Sequence, residues 1–308
     1  MTESRSRPDA PAQLLAAARI QAAALAWFEE NGRDLAFRRS LDPWAVLVSE
    51  VMAQQTQAER AANAWSMFIE RYPTPAALAA ASTAEVIRAW RGLGYNRRAV
   101  ALRAAAIRIT DEHDGRVPDS VDALEDLPGI GPYTARAVLA IAFGQQLAAL
   151  DTNIERVLDR AIGRMPTARR QRQALADGFV PAGRSASWTH ALMDIGATLC
   201  RKRDPRCGDC PLAADCAFVR SEEVRRAAPA KPRPRDHGLR FEATTRWLRG
   251  RILDHLRDAP EGTWSTFASP IGLHDVEEVR ASLAALAREG FVERDAADPD
   301  RARLVTAP

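Results

Sequence analysis

Glu50 and Asp151 are two carboxylates of this 308-residue chain that stand in apolar surroundings. In the run Trp44-Ala45-Val46-Leu47-Val48-Ser49-Glu50-Val51-Met52 only Ser49 and Glu50 are polar. A helix apolar almost all round is buried, so the carboxyl at Glu50 is desolvated and its pKa pushed upward. A carboxyl kept protonated near neutral pH is a general acid. The plainer reading is a structural carboxylate paired with an arginine from elsewhere in the chain. Asp151 follows the uncharged segment 137–150. Thr152-Asn153-Ile154-Glu155 reads as a capping box with Thr152 as the N-cap, which places Asp151 one residue outside the cap with its carboxylate free. One acid and one anion form the pair that glycosidic bond cleavage requires. The first protonates the leaving group, and the second stabilises an oxocarbenium-like sugar.

Cys200, Cys207, Cys210 and Cys216 are the only cysteines, and they fall in the pattern C-x6-C-x2-C-x5-C. Two disulfides so close together would staple little, whereas four thiolates on one short segment converge easily on a metal. Tetrahedral zinc prefers two tight pairs set a dozen or more residues apart. Here one pair is tight and the other gaps are wider, a spacing that suits a 4Fe–4S cubane with one thiolate per iron. Spacing favours the cluster and leaves zinc open. Arg201, Lys202, Arg203 and Arg206 between the first two cysteines read either as a solvated basic loop or as a finger for phosphate.

Leu127-Pro128-Gly129-Ile130-Gly131 precedes Pro132, which suits the first position of a helix running on through Tyr133. Gly129 and Gly131 allow a tight turn that aims backbone N–H groups outward at a helix N-terminus, a nest for a phosphate. A plain turn between two helices would account for the same pentapeptide equally well. Gly92-Leu93-Gly94-Tyr95 is a second glycine turn, with an aromatic placed to stack or to wedge.

These groups must be carried by helices. Residues 13–219 are rich in Ala, Leu and Arg, are interrupted only by short Gly and Pro breaks, and lack β-branched alternation, so this part reads all-α. Residues 220–240 contain three prolines with seven basic and three acidic residues, the composition of an extended linker. From 241 to 308 the pattern is helix (243–257), a short segment (263–269), helix (275–289) and two short strands (291–293 and 303–305). That order suggests a winged-helix-like α+β module.

With 43 Lys+Arg against 40 Asp+Glu, the net charge of +3 excludes a strongly polyionic chain, and 46% hydrophobic content is that of a globular protein. Local charge is more informative. Residues 86–110 hold Arg88, Arg91, Arg97, Arg98, Arg103 and Arg108 with no acid, and 164–172 hold four arginines with no acid. Solvated helix faces would explain both stretches, yet together with the cysteine loop they suggest a polyanion partner. No apolar run is long enough for a membrane span, and residues 1–11 lack the apolar core of a secretion signal. Cytoplasmic residence is expected.

Taken together, Ser49-Glu50-Val51-Met52-Ala53-Gln54-Gln55-Thr56-Gln57, Gly92-Leu93-Gly94-Tyr95, Leu127-Pro128-Gly129-Ile130-Gly131-Pro132-Tyr133-Thr134, Leu150-Asp151-Thr152-Asn153-Ile154-Glu155-Arg156-Val157 and the four cysteines resemble one family. It is the helix-hairpin-helix DNA glycosylases with an iron–sulfur cluster, meaning the endonuclease III and MutY adenine glycosylase group. The resemblance runs from about residue 27 to residue 216. It implies a mainly α fold, with a six-helix barrel at 43–150 and a discontinuous iron–sulfur cluster domain at 12–42 and 151–219. It further implies a 4Fe–4S cluster on Cys200, Cys207, Cys210 and Cys216 rather than zinc.

Lyases of the endonuclease III type carry a hairpin lysine as Schiff-base nucleophile, and this chain has Tyr133 there. The resemblance therefore implies a monofunctional glycosylase acting on double-stranded DNA with adenine mispaired with 8-oxoguanine or guanine, and a monomer is expected. Glu50 would protonate N7 of a flipped adenine, Asp151 would stabilise the cationic sugar, and Tyr133 and Asn153 would order the site. Phe37, Arg38 and Asp194 would line the adenine pocket, Gln55 and Tyr95 would intrude into the base stack, and Gly129 and Gly131 would hold phosphate. The chain departs from the family in reading Ala36-Phe37-Arg38 where Pro-Trp-Arg is usual, and in placing Thr152 after Asp151 where MutY enzymes have Gly. The 68 residues after the linker are too few for the Nudix-like domain that many MutY proteins carry. An endonuclease III-like enzyme for oxidised pyrimidines and a non-catalytic iron–sulfur DNA-binding protein are the alternatives.

Overall fold

The computed structural model describes residues 10–227 and 240–306. Fifteen α-helices and three short strands follow one another among them. The first eight helices are α1 (Ala10–Asn31), α2 (Pro43–Ala53), α3 (Ala58–Arg71), α4 (Pro75–Ala79), α5 (Thr83–Ala89), α6 (Arg97–Glu112), α7 (Val121–Glu125) and α8 (Pro132–Ala142). Then come α9 (Thr152–Ile162), α10 (Arg169–Gly178), α11 (Ser185–Thr198), α12 (Ala217–Arg220) and α13 (Glu222–Ala227). The C-terminal part is α14 (Thr245–Asp258), β1 (Ser265–Thr266), α15 (Val276–Arg288), β2 (Val292–Arg294) and β3 (Arg301–Leu304).

Local sequence explains where the site-bearing helices begin. Asp42 caps α2 by accepting the Ala45 amide at 2.8 Å, and Pro43 takes the first position, where its missing N–H costs nothing. Every residue from Trp44 to Met52 is buried, so α2 is the central helix of the larger core. Trp65 Nε1 donates to the Ala45 carbonyl at 2.9 Å, fixing α3 across α2. Helix α8 begins at Pro132 directly after the glycine turn, and its buried face (Ala135, Val138, Leu139) packs on α2.

Two apolar cores result. The larger runs from Trp44 through Ala149 and continues without a break into Leu248, Ile252, Leu283 and Phe291 of the C-terminal module. The smaller joins Ile20 and Ala24 of α1 to Val157, Leu158, Trp188, Leu192 and Leu212. Segments that precede and follow the barrel in sequence thus share the smaller core, and the cysteine segment hangs from it.

The module contains one strand more than the sequence suggests. Its sheet has the order β1-β3-β2, all antiparallel, with Ser265 opposite Ala302 and Val292 opposite Leu304. The expected linker also differs at its start. Residues 222–227 form α13 instead of extended chain, and residues 228–239 of that linker lie outside the described residues. No helix among the described residues is long and apolar enough to cross a membrane.

Candidate active site

Glu50 sits on α2 with 6% of its surface exposed. Burial is the largest influence on its carboxyl and drives the pKa up to about 7. A hydrogen bond from Tyr133 works in the opposite direction, the charge of Asp151 raises the value further, and Arg38 lowers it. Tyr133, on the first turn of α8, is held well above the ordinary phenol range, first by burial and then by the charges of Glu50 and Asp151. It therefore stays neutral and can donate to the Glu50 carboxylate. An acid poised near neutrality beside a second carboxylate is the arrangement that general acid catalysis needs.

Asp151 differs from expectation in one respect. It is itself the N-cap of α9, with Oδ1 accepting the amides of Asn153 at 2.9 Å and Ile154 at 2.7 Å. Thr152 is the first residue of the helix instead of its cap. The capping box inferred from Thr152 and Glu155 fails because an aspartate one residue earlier starts the helix with a charged acceptor on the Asn153 and Ile154 amides, and the Glu155 amide is taken by the Asp151 carbonyl. Asp151 Oδ2 accepts Nδ2 of Asn153 at 3.0 Å. Arg156 completes the chain of contacts: Nη2 donates to Asn153 Oδ1 at 2.8 Å and to the Gly196 carbonyl at 2.7 Å, and Nε donates to the Cys200 carbonyl at 2.7 Å. Gly196 is required here, since a Cβ on it would lie 2.8 Å from that of Asn153.

Arg38 and Asp194 meet as a buried pair. Arg38 Nη1 and Nη2 each donate to Asp194 at 2.8 Å, Arg33 adds its Nε at 2.7 Å, and the Arg33 amide adds a fourth bond at 2.9 Å. Burial alone would raise the Asp194 pKa, but the bonds and charge of Arg38, followed by those of Arg33, hold it below the usual carboxylate range. Asp194 has no exposed surface, so it can act on the site only through the arginines it holds. Arg38 Nε is buried without a hydrogen-bond partner among the described residues. Beside this pair His190 is pushed down to about 3, first by burial and then by Arg38, and stays neutral. Phe37 lies in a 3-10 turn at Ala36–Arg39 and meets Trp65 edge-on, with centroids 6.4 Å apart.

The four cysteines line one pocket together with Val157, Arg160 and Leu212. Arg160 Nη1 donates to Cys200 Sγ at 3.3 Å. Burial pushes the Cys210 thiol up to about 11, and the neighbouring sulfurs add to the shift. No group of three or more His, Cys, Asp or Glu among the described residues closes on a point that could hold a metal ion.

At the surface, Gln55 and Tyr95 border a common cleft and are both in the left-handed region, at φ 56° and 43°. Such backbone is unfavourable for side-chain-bearing residues and concentrates at functional sites. Gly129 has φ 78° and sits so close to α6 that a Cβ would come within 2.7 Å of that of Ala101. Gly131 caps α8 with open space beside it.

The arginine-rich stretch at 86–110 is not the open basic face that its charge pattern suggests. Arg98 turns inward, and Arg103 donates to the Ala81 carbonyl. Arg108 pairs with Glu112 and Asp126. Arg91 pairs with Asp258 at 2.6 Å and Arg97 with Glu289 at 2.8 Å, both acids belonging to the C-terminal module. The excess of acids in that module meets the excess of arginines in the barrel, which charge counting along the chain does not reveal.

Comparison with known proteins places this geometry. Residues 48–180 match the HhH-GPD superfamily base excision DNA repair protein family. Adenine DNA glycosylase of Mycolicibacterium smegmatis is 39% identical over 280 residues, spanning 88% of this chain and 92% of the relative. The adenine DNA glycosylase of Mycobacterium tuberculosis is 40% identical over 278 residues, covering 88% and 89%. The chain belongs to the adenine DNA glycosylase family. A solved structure of a thermostable thymine-DNA glycosylase, 27% identical, superposes with a TM-score of 0.63 over 68% of this chain and 99% of that one.

Within this adenine DNA glycosylase family member, sequence reasoning missed the residues that hold the site in place. Arg98 Nη1 donates to the carbonyls of Val51 and Met52 at 2.9 Å, satisfying the open end of α2, and Nη2 reaches the Leu93 and Gly94 carbonyls at 3.0 and 3.1 Å. Burial lowers its pKa to about 10. It thereby ties the helix of Glu50 to the turn of Tyr95. Arg156 had a readable signal, its i,i+3 spacing from Asn153 on one helix. Arg33 had none, because Asp194 is 161 residues away, and for Arg98 the bonds that matter to Glu50 run to Val51 and Met52, more than 40 residues back.

Proposed function

We propose that this chain excises adenine mispaired with 8-oxoguanine or guanine in double-stranded DNA by hydrolysing the N-glycosidic bond. The observation that carries the reading is Glu50, buried, poised near pH 7 and hydrogen-bonded by a neutral Tyr133. Flipping the adenine out of the duplex costs roughly a few kcal/mol of stacking and pairing. Glu50 protonates N7, and the bond from C1′ to N9 breaks with its electron pair going to the base. Asp151, negative and held by its two helix amides, stabilises the cationic sugar. Water adds to C1′, and its proton returns to the Glu50 carboxylate, leaving an abasic site and free adenine.

Tyr133 takes the hairpin position where a lyase has its amine, and the two lysines of the chain, Lys202 and Lys231, lie far along the sequence from it. That composition supports base removal without strand cleavage. Arg38 and Phe37 would contact the extruded adenine, with Asp194 fixing Arg38. Gln55 and Tyr95 would enter the base stack, and Gly129 and Gly131 would seat a backbone phosphate at the start of α8.

Cys200, Cys207, Cys210 and Cys216 would hold a 4Fe–4S cluster. All four line one pocket, which fits a ligand held by four thiolates, and Arg160 supplies a donor to the Cys200 sulfur. The cluster would supply structural rigidity to the basic loop between Cys200 and Cys207. The test is incubation with duplexes carrying A:8-oxoguanine, A:G or thymine glycol, with and without alkali. Strand cleavage at adenine that depends on alkali supports the reading, and alkali-independent cleavage at thymine glycol contradicts it.

A further inference from the structure

The C-terminal module has no part in the chemistry described above, yet it grips the turn that carries Tyr95. Arg246, on the first turn of α14, places its guanidinium carbon 4.0 Å from the centroid of the Tyr95 ring and donates Nη1 to the phenol oxygen at 2.9 Å. Its helix is anchored on both sides of the same turn. Buried Arg257 donates Nε to the Ile87 carbonyl at 3.0 Å and Nη2 to Asn96 Oδ1 at 2.8 Å. Arg88 returns a bond to the Ala259 carbonyl at 3.2 Å. Between turn and helix lies an open cleft of about 570 Å³ bordered by Gln55, Tyr95, Arg246 and Arg249. Tyr95 itself is 42% exposed and has φ 43°, a conformation its own backbone does not favour.

We propose that Arg246 is a positioning residue, holding the Tyr95 ring in place for insertion into the duplex beside the target base. The proposal rests on the reading of Tyr95 as an intruding residue. A cation over an aromatic face combined with a hydrogen bond to its hydroxyl leaves the ring few other orientations, so the ordering is complete before DNA arrives. Arg246 is exposed, and its hydrogen bond and ring contact both go to Tyr95, so its truncation removes this restraint and leaves the docking through Arg257 intact.

The experiment measures single-turnover excision and the fluorescence of 2-aminopurine at the target position with full-length Arg246→Ala, Arg246→Lys and Tyr95→Ala. Two duplexes are compared, one with the target paired opposite 8-oxoguanine and one with it unpaired opposite an abasic analogue. Arg246→Ala is expected to slow excision and lower the flipped signal about fivefold on the paired duplex, with little change on the unpaired one. Arg246→Lys, which keeps the cation, recovers part of the loss. Normal behaviour of Arg246→Ala alongside an impaired Tyr95→Ala overturns the proposal, as does equal impairment on both duplexes. Normal behaviour of Tyr95→Ala overturns the reading of Tyr95 itself, and the proposal with it.

Discussion

Asp151 and Asn153 are joined twice, by the Asn153 amide to Oδ1 at 2.9 Å and by Nδ2 to Oδ2 at 3.0 Å. The side chain of Asn153 thus fixes the orientation of the carboxylate plane, while the start of α9 stabilises its negative charge. Its own oxygen is held by Arg156, which also bonds the Cys200 carbonyl, so the anionic half of the site is braced by the cysteine segment.

Arg156→Ala should therefore slow base excision by about 10- to 100-fold with little change in DNA affinity, a range set by comparable losses of supporting groups. Single-turnover rates and equilibrium binding measured on the same preparation separate the two effects. An unchanged rate would show that Asn153 holds Asp151 without help.

The pH dependence follows from Glu50. Its folded value of about 7 lies above the ordinary 4.5, so the native state takes up a proton between those limits and is stabilised below them. Stability should decline as pH rises from 4.5 to 7, and the excision rate should fall as pH rises through 7 because the acid is lost. Tyr133→Phe removes a hydrogen bond that favours the charged carboxyl, so the falling limb of the rate profile should move to higher pH. A limb that stays in place or moves to lower pH would refute the assignment of that bond.

Asp194 offers a test of stability. Truncating it to Ala leaves Arg38 and Arg33 without their shared anion in a buried setting, which should cost about 3–5 kcal/mol. Because its folded pKa is depressed, this contribution is present above the unfolded carboxylate value and disappears as pH falls through the folded one. Denaturant titrations near pH 7 and in strong acid should show a large gap between Asp194→Ala and the parent that closes on acidification.

Much of the site could be read from the sequence because its signals are local. The apolar frame of Glu50, the Pro-Gly-Ile-Gly-Pro turn and the cysteine spacing each occupy fewer than 20 consecutive residues. Glycine turns and helix breaks announce themselves in the same way. What could not be read depends on contacts between distant residues. The arginines at 88, 91 and 97 look like a phosphate face until Ala259, Asp258 and Glu289 are found against them. Asp151 as N-cap was obscured by a second acceptable cap one residue later, since Thr152 and Asp151 both satisfy the local rule and only the backbone geometry distinguishes them.

Iron and acid-labile sulfide analysis tests the cysteine site. The protein purified without oxygen should contain about four irons per chain and absorb in the visible range, and Cys210→Ser should lose both. One zinc per chain with no visible absorption would instead favour the tetrahedral alternative.

Glu50→Gln is the most direct test of the account, because the amide keeps the shape of the buried carboxyl and cannot deliver a proton. Single-turnover release of adenine from an A:8-oxoguanine duplex at pH 7 should fall by at least about 10²–10⁴ while duplex binding is retained. Release at the parent rate by Glu50→Gln would contradict the general-acid role on which the mechanism stands.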